Sequence, residues 1–215
     1  MPKVSLVISF ISFLLLSHSF FSQSKIKTLT ADISKLPKEA KYNGALKEVV
    51  KWRDASGEYL AIISESEESK KINAEADMEE RSKQLFAVCY HIKKDSLVEK
   101  WKVFDQISKC PFDLTISFIQ NVFQVTDLNN DGIGEVWMMY KMVCRSDVSP
   151  CDMKIIMYQG QQKFAMRGQN KVKMTETEYF GGEYKFDKAF NEGPREFRDF
   201  ALKLWEKNII ENWEK

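Results

Sequence analysis

Between residues 47 and 168, hydrophobic side chains occur in short runs that turn-forming residues separate. Runs of this length, rich in β-branched and aromatic residues, predict β-strands. Short turns join neighbouring runs, with Gly57 in the first of them, and this order favours antiparallel hairpins over a parallel sheet with long crossover helices. The predicted strands lie within residues 47–52, 58–64, 85–92, 99–107, 112–119, 121–127, 135–144, 153–158 and 163–168.

One segment in this region, residues 64–84, has a different composition. It is dominated by charged and small polar side chains and contains almost no apolar residue that a core would bury. Such a composition predicts a solvated loop or a frayed helix between two strands.

From Pro194 onward the hydrophobic period changes to that of a helix. Apolar side chains recur at the i, i+3, i+4, i+7 spacing of one helical face. Pro194 suits the first helical turn, and Glu196 complements the positive end of the helix dipole. The apolar stripe consists of Phe197, Phe200, Ala201, Leu204, Trp205 and Ile209. We expect this helix to cover one face of the sheet; binding of a partner by the same stripe is the alternative.

These patterns together predict one α+β domain over residues 25–215, mainly an antiparallel β-sheet meander with a C-terminal amphipathic helix. The residues before it have the features of a signal peptide: Lys3 precedes an apolar run over residues 4–21. Small residues that offer cleavage positions are Ser19, Ser22 and Ser24. Residues 1–24 are therefore predicted to be a signal peptide, which makes the protein exported, periplasmic or at the outer cell surface, with no membrane span after cleavage. An uncleaved anchor is the alternative, because about eighteen apolar residues just cross a bilayer.

Charge and histidine content exclude several function classes. The chain has 32 basic and 31 acidic residues, so it lacks the basic surplus that nucleic-acid binding requires. His91 is the only histidine after the predicted signal peptide, which leaves little for Ser-His-Asp or Cys-His catalysis. The sequence contains no nucleophile elbow, P-loop or zinc-protease motif.

Glycoside hydrolysis remains open, because it needs only two carboxyl groups at a suitable distance. The acidic residues closest to cysteine-containing turns are Asp113, Asp147 and Asp152. Aromatic residues that could stack on sugar rings are Tyr179, Phe180, Tyr184 and Phe186. Aromatic residues around adjacent glycines are also typical of a half-buried hairpin.

All four cysteines follow the predicted signal peptide, and export to an oxidising compartment predicts two disulfides. Cys144 and Cys151 enclose the sequence RSDVSP, whose Ser-Pro favours a chain reversal that would bring them together. Cys89 and Cys110 then pair by elimination. A zinc site is the rival interpretation, but it is disfavoured because the chain has no C-x-x-C motif and too few histidines.

The sequence VTDLNNDGIGEVWMMY, residues 125–140, places oxygen-bearing residues at alternate positions of a glycine-containing loop. Calcium prefers such oxygen ligands, and the predicted set is Asp127, Asn129, Asp131, the Ile133 carbonyl and Glu135. An EF-hand is excluded because its twelfth position is Met138. A plain hairpin turn is the alternative, since Asn-Asp-Gly is a strong turn signal. Crowded carboxylates would repel one another without a cation, which favours structural calcium. The loop resembles the integrin-type calcium loops of extracellular β-repeats.

A wider resemblance rests on three segments and on the tryptophan-containing C-terminal helix. The segments are KCPFDLT at 109–115, the loop at 125–141 and CRSDVSPCDMKIIMYQGQQKFAMRG at 144–168. They resemble a family of small exported proteins of Gram-negative bacteria associated with surface polysaccharide, or lipopolysaccharide, biosynthesis. The resemblance implies a process and supplies no catalytic residues. In that family the position of Cys151 is often not cysteine, which leaves open that Cys144 pairs elsewhere.

The sequence therefore predicts an exported, non-catalytic calcium-loop protein that acts as an accessory in cell-surface polysaccharide biosynthesis or assembly. A glycan or an envelope protein is the expected partner. Two alternatives remain: a hydrolase or modifying enzyme that acts on envelope glycans with a carboxylate pair, and a protein-interaction module displayed at the surface.

Overall fold

The structure is a computed structural model that describes residues 26–31, 36–94 and 96–211. The predicted signal peptide, residues 1–24, lies outside the described residues. Within the described ranges, no helix is long and apolar enough to cross a membrane.

Strands dominate the described part of the chain, and two helices follow them, which confirms the predicted α+β class. The strands are β1 (Lys27–Leu29), β2 (Ala45–Asp54), β3 (Gly57–Glu65), β4 (Ser69–Asn73), β5 (Met78–Lys93), β6 (Ser96–Cys110), β7 (Asp113–Phe118), β8 (Gln124–Thr126), β9 (Glu135–Arg145), β10 (Asp152–Gln159), β11 (Gln162–Gln169), β12 (Lys171–Lys173), β13 (Tyr179–Gly181) and β14 (Tyr184–Phe186). The helices are α1 (Lys188–Glu192) and α2 (Arg195–Asn208).

The strands form two antiparallel sheets, here called sheet A and sheet B. Sheet A has the order β1-β2-β3-β5-β4, and β6 pairs with the other edge of β5. Sheet B has the order β14-β11-β10-β9-β7, and β8 pairs with β9 beyond the end of β7. A short ribbon of β12 and β13 lies apart from both. Most strands therefore pair with a neighbour in sequence, as the short predicted turns require.

The two sheets pack face to face around a shared core. Alternate side chains of a strand point to opposite faces, so every second apolar residue faces the other sheet. Sheet A contributes Ala61, Ile63, Ala87, Trp101 and Val103, and sheet B contributes Val136, Met138, Ile156 and Ala165. The rings of Trp101 and Tyr158 stack across this interface with centroids 4.3 Å apart.

The second face of sheet B is covered by the two helices. Trp137, Met139 and Met157 alternate with the inter-sheet residues and pack against the apolar stripe of α2. Phe197, Ala201, Leu204 and Trp205 are the buried residues of that stripe. The helix begins at Arg195, directly after Pro194, as its sequence predicts. The C-terminal helix therefore belongs to the core.

The outer face of sheet A is covered in part by the chain segment 36–44. Leu60, Ile62 and Val88 form a small apolar cluster beneath it. Tyr90 fixes the segment, because its hydroxyl donates to the Lys41 carbonyl at 2.8 Å and accepts the Lys41 N–H at 3.2 Å. This attachment creates one wall of a groove described below.

The prediction of a loop or helix over residues 64–84 is wrong. Strand β3 continues to Glu65, and β4 and the first residues of β5 form a hairpin. Lys70 of β4 lies 3.5 Å from Glu79 of β5 across the hairpin, and Arg81 lies 3.1 Å from Glu79 along β5 itself. The side chains of β4 are largely exposed, so this strand has no apolar face to bury. Without alternating apolar residues, its sequence does not indicate a strand.

The predicted disulfides Cys144–Cys151 and Cys89–Cys110 are also wrong. Cys110 bonds Cys144, with 5.7 Å between their Cα atoms, and both Cys89 and Cys151 are buried free thiols. When the β9–β10 register is extended by one residue, Cys151 lies opposite Val143. The side chain of Cys144, the next residue on β9, therefore points to the opposite face of the sheet from Cys151. Cys89 lies opposite Trp101 in the β5–β6 hairpin. Trp101 is nine residues from Cys110 along β6, which separates Cys89 from Cys110 by about 30 Å.

Candidate functional site

The predicted calcium loop connects β8 to β9 and packs against the turn between β2 and β3. The Ala55 N–H donates to the Gly132 carbonyl at 2.9 Å. Asp54 Oδ2 accepts the Gly134 N–H at 3.1 Å and the Trp52 indole N–H at 2.9 Å. A side chain at position 134 would collide with that indole, since a Cβ there would lie 2.6 Å from Trp52 Nε1. Sheet A therefore fixes the loop at one end of the sandwich.

Three of the predicted ligands accept hydrogen bonds from the loop itself. Asp127 Oδ1 accepts the Gly132 N–H at 3.3 Å, and Asp131 Oδ1 accepts the Ile133 N–H at 2.8 Å. Asn129 Oδ1 accepts the Asp131 N–H at 3.3 Å. These side chains stabilise the turn through backbone amides, in the manner of Asx turns.

Glu135, the fourth side-chain ligand predicted, is buried at the start of β9. Its carboxylate accepts the Thr126 hydroxyl at 2.7 Å and the Leu128 N–H at 3.0 Å. Burial raises the pKa of Glu135, and the negative charges of Asp127 and Asp131 add to this effect, whereas the two hydrogen bonds oppose it. A nearby cation would favour the ionised form.

The described residues contain no group of three or more His, Cys, Asp and Glu side chains arranged around a common point. Asp127 Oδ1 and Asp131 Oδ1 accept loop N–H groups, and Asp131 Oδ2 accepts the side-chain amides of Asn129 and Gln159. The Glu135 oxygens accept from Thr126 and Leu128. Calcium binding by Asp127, Asn129, Asp131, the Ile133 carbonyl and Glu135 stays a prediction, and it would replace these hydrogen bonds by metal–oxygen contacts.

If this loop binds calcium, the pH dependence of folding stability should differ between calcium and chelator. Because its folded pKa is raised, Glu135 stabilises the fold fully below pH 4.5 and loses this contribution as pH rises through the folded pKa. In chelator, wild type should therefore lose stability relative to Glu135→Gln as the pH rises. Calcium at 10 mM should reverse this loss and raise the wild-type Tm by about 5 °C. Thermal melts of wild type, Glu135→Gln and Asp131→Ala measure both effects, and equal Tm values in calcium and chelator would reduce the loop to a turn.

The acidic residues suggested by sequence, Asp113, Asp147 and Asp152, are all exposed. Asp113 is exposed and lies 3.7 Å from an Arg81 guanidinium nitrogen. Asp147 Oδ1 accepts the Ser149 N–H at 2.9 Å, and hydrogen bonds with Ser149 lower the pKa of Asp147. Asp152 is exposed at the start of β10. None of the three lines the grooves described next.

A pair of glutamates that sequence analysis missed lines a groove of about 450 Å³ between β2 and β7. Glu65 is buried, accepts the Phe118 N–H at 2.9 Å and lies 2.9 Å from Lys83 Nζ. Burial raises the pKa of Glu48, whereas a hydrogen bond from the Asn121 backbone lowers it. A β-bulge after Leu46 places Glu48 opposite Ile63, on the face that also carries Glu65.

A second groove, of about 340 Å³, lies on the outer face of sheet A between β6 and the segment 41–43. We call it the aromatic groove. Its lining residues are Lys41, Tyr42, Asn43, Phe86, Ala87, Val88, Tyr90, Glu99, Lys102, Val103 and Phe104. The rings of Phe86 and Phe104 lie 5.4 Å apart, and Phe104 and Tyr42 are 53% and 40% exposed. The groove therefore presents aromatic surface beside charged and amide side chains.

The aromatic residues singled out in the sequence are divided between two places. Tyr184 and Phe186 pack toward the helices, with ring centroids 5.8 Å from Trp205 and 5.1 Å from Phe190 respectively. Tyr179 and Phe180 lie on β13 and are exposed. These four residues do not form one stacking surface.

His91 lies in a stack of aromatic rings on sheet A. Its ring centroid is 4.7 Å from that of Tyr59, which in turn stacks on Trp52 at 5.1 Å. Burial lowers the pKa of His91, and the positive charges of Lys100 and Lys93 lower it further. The imidazole is therefore a packed member of this stack, in surroundings that disfavour its charged form.

Comparisons of the chain with protein families, with curated proteins and with solved structures find no match. Two features of the described residues are left to support a function: the aromatic groove and the groove that contains Glu48 and Glu65.

Proposed function

We propose that this protein is an exported, non-catalytic glycan-binding accessory in cell-surface polysaccharide or lipopolysaccharide biosynthesis. The aromatic groove is the observation that carries the proposal. Binding sites for small ligands combine apolar and aromatic walls with a few polar groups that fix orientation. A sugar ring has both an apolar C–H face and hydroxyl groups, so it matches such a lining.

The groove has a rigid floor and one fixed wall. Phe86 and Val88 belong to the central strand β5, which pairs with neighbours on both sides. Tyr42 follows Lys41, whose backbone N–H and carbonyl both bond the Tyr90 hydroxyl. A preformed site of this kind loses little conformational entropy when a ligand binds.

Hydrogen-bonding groups lie on both sides of the aromatic surface. Lys102 and Glu99 project from β6 with 3.6 Å between Nζ and Oε1, and both remain largely exposed. Asn43 lies on the opposite wall. These amide, ammonium and carboxylate groups match the mixed donors and acceptors of sugar hydroxyls.

Two observations support export and the process. The disulfide between Cys110 and Cys144 is compatible with an oxidising compartment. The segments 109–115, 125–141 and 144–168 resemble exported proteins of surface polysaccharide biosynthesis. Within this proposal the loop at residues 127–135 acts as a structural calcium site, and none of its residues lines the aromatic groove.

Removal of groove aromatics should weaken glycan binding. We expect Phe104→Ala and Tyr42→Ala each to raise the Kd for purified surface polysaccharide about tenfold, since each removes an exposed stacking ring. Isothermal titration calorimetry measures the change. Phe180→Ala is the matched control, because Phe180 is 60% exposed on β13. An unchanged Kd in the groove variants, or an equal loss in the control, would contradict the proposal.

A carboxylate-based hydrolase is the second candidate, and the groove with Glu48 and Glu65 favours it. Glu65 lies beside two lysines, with its Oε2 2.9 Å from Lys83 Nζ and 3.5 Å from Lys47 Nζ, whereas burial raises the pKa of Glu48. A glutamate paired with lysines near a second glutamate whose pKa is raised resembles the two carboxyl groups that glycosidases use for different roles. The test is an assay of the reducing ends released from surface polysaccharide. Release by wild type that is lost in Glu48→Gln would establish hydrolysis in place of simple binding.

A further inference from the structure

Three basic residues form a straight row across sheet B. Lys154 in β10 lies opposite Arg167 in β11, and Arg167 lies opposite Lys185 in β14. Adjacent strands are about 4.8 Å apart, so the row extends over about 10 Å. We call these three residues the basic row.

The basic row lies on the face of sheet B that is directed toward sheet A. Ile156 and Ala165, two residues away from Lys154 and Arg167 on the same strands, belong to the core between the sheets. Side chains two residues apart on a strand share a face. Arg167 and Lys185 are nevertheless exposed, so the face is uncovered where they lie.

Within residues 26–31, 36–94 and 96–211, an acidic partner is found at one end of the row. Lys154 Nζ lies 2.5 Å from Asp105 Oδ2 of β6, and the Tyr140 hydroxyl donates to the same oxygen at 3.0 Å. Among the described residues, neither Arg167 nor Lys185 forms an ion pair or a side-chain hydrogen bond. Like charges directly opposite each other on adjacent strands destabilise a sheet. An anion bound between Arg167 and Lys185 would relieve this repulsion.

Neighbouring groups increase the positive potential. Lys163 lies on the same face of β11 as Arg167, and its pKa is lowered first by burial and then by the charge of Arg167. Asp105 and Asp187 offset part of this charge at Lys163. Asp187 is hydrogen-bonded within the fold, where its oxygens accept the N–H groups of Phe190 and Ala165, both at 2.9 Å. Asp152, on the same face of β10, lies opposite Gln169 and forms no ion pair within the described ranges.

We propose that the basic row binds the carboxylate or phosphate groups of an acidic glycan chain. This inference rests on the proposed function, because it names the class of glycan. Strand β6 connects the two sites: Phe104 lines the aromatic groove on one face, and Asp105, the next residue, contacts Lys154 on the other. A chain held in the groove reaches the row across the edge of β6.

A single row in a protein of net charge +1 is too small for the many phosphate contacts of nucleic-acid binding.

The test compares oligogalacturonate, whose carboxylates are charged, with its full methyl ester, which has the same sugar chain and no carboxylate. We expect wild type to bind the acidic oligomer more tightly, with a Kd that rises with added salt. The double variant Arg167→Gln/Lys185→Gln should weaken binding of the acidic oligomer about tenfold and leave that of the ester unchanged. The matched control is Lys188→Gln/Arg195→Gln, which removes the same two charges from exposed positions on α1 and α2.

Several outcomes would overturn the inference. These are equal wild-type affinity for the two oligomers, no binding of oligogalacturonate at millimolar concentration, and an equal loss in the control variant. Binding of polyglutamate as tight as that of oligogalacturonate would overturn the assignment to a glycan. The proposed function fails separately, when Phe104→Ala leaves binding of native surface polysaccharide unchanged.

Discussion

Replacement of Trp137 by alanine is expected to lower the free energy of unfolding by about 4 kcal/mol. The Trp137 side chain is fully buried between sheet B and the helices. Its ring centroid lies 4.8 Å from that of Phe200, 6.2 Å from Phe190 and 6.5 Å from Phe197. Removal of the indole leaves a cavity that these rings cannot fill without moving, so both the transfer energy and the packing contacts are lost.

The same substitution should also disturb the loop. The Trp137 indole N–H donates to Thr126 Oγ1 at 2.8 Å, and the Thr126 hydroxyl in turn donates to Glu135. Trp137→Phe removes this hydrogen bond while it keeps most of the ring, and it should cost only about 1–2 kcal/mol.

Urea unfolding followed by circular dichroism measures the losses in both Trp137 variants. The control Phe180→Ala, at an exposed position, should change stability by less than about 0.5 kcal/mol. A loss below about 1 kcal/mol in Trp137→Ala would show that the helices do not pack on this face as described.

Removal of the disulfide should have the second-largest effect. Cys110 and Cys144 are separated by 34 residues, and closure of a loop of that length stabilises a fold by about 3–4 kcal/mol on the chain-entropy model. We expect Cys110→Ala/Cys144→Ala to lose this amount in denaturant unfolding. Reducing agent should destabilise wild type and leave the double variant unchanged.

The matched control for the disulfide is Cys89→Ala/Cys151→Ala, which removes the two free thiols. This variant should keep its sensitivity to reducing agent, because the Cys110–Cys144 bond remains. Peptide mapping under non-reducing conditions should detect a cross-link between Cys110 and Cys144. A cross-link that contains Cys151 would contradict the register of β9 and β10.

Sequence patterns identified most strands and the C-terminal helix because those elements bury one face in a shared core. The stripe from Phe197 to Trp205 has a helical period, and the runs around Ile62 and Met138 are strongly apolar. The β4–β5 hairpin lacks such a pattern because its strands pair through backbone hydrogen bonds while the side chains of β4 are largely exposed. The disulfide depends on strand register, which spacing along the chain does not contain.

The candidate sites were predictable only where their residues are adjacent in sequence. The loop at residues 127–135 is a local feature, so its position was identified and its hydrogen bonds were not. The aromatic groove combines Tyr42, Phe86 and Phe104 from three distant segments. Glu48 and Glu65 share a face because of a bulge, and the basic row exists only through the pairing of three strands.

The two buried thiols have a consequence for biosynthesis of the protein. Cys89 lies in the inter-sheet core, and Cys151 lies 3.7 Å from Glu211 Oε2 near the C-terminus. Burial raises the pKa of both thiols, so they are unreactive once the fold has formed. In an extended chain all four sulfur atoms are equally open to oxidants, and incorrect bonds lock the sheets out of register. We therefore expect oxidative refolding of the reduced chain to give more native protein when a disulfide isomerase is present to reshuffle early bonds until the β7–β9 pairing brings the correct partners together.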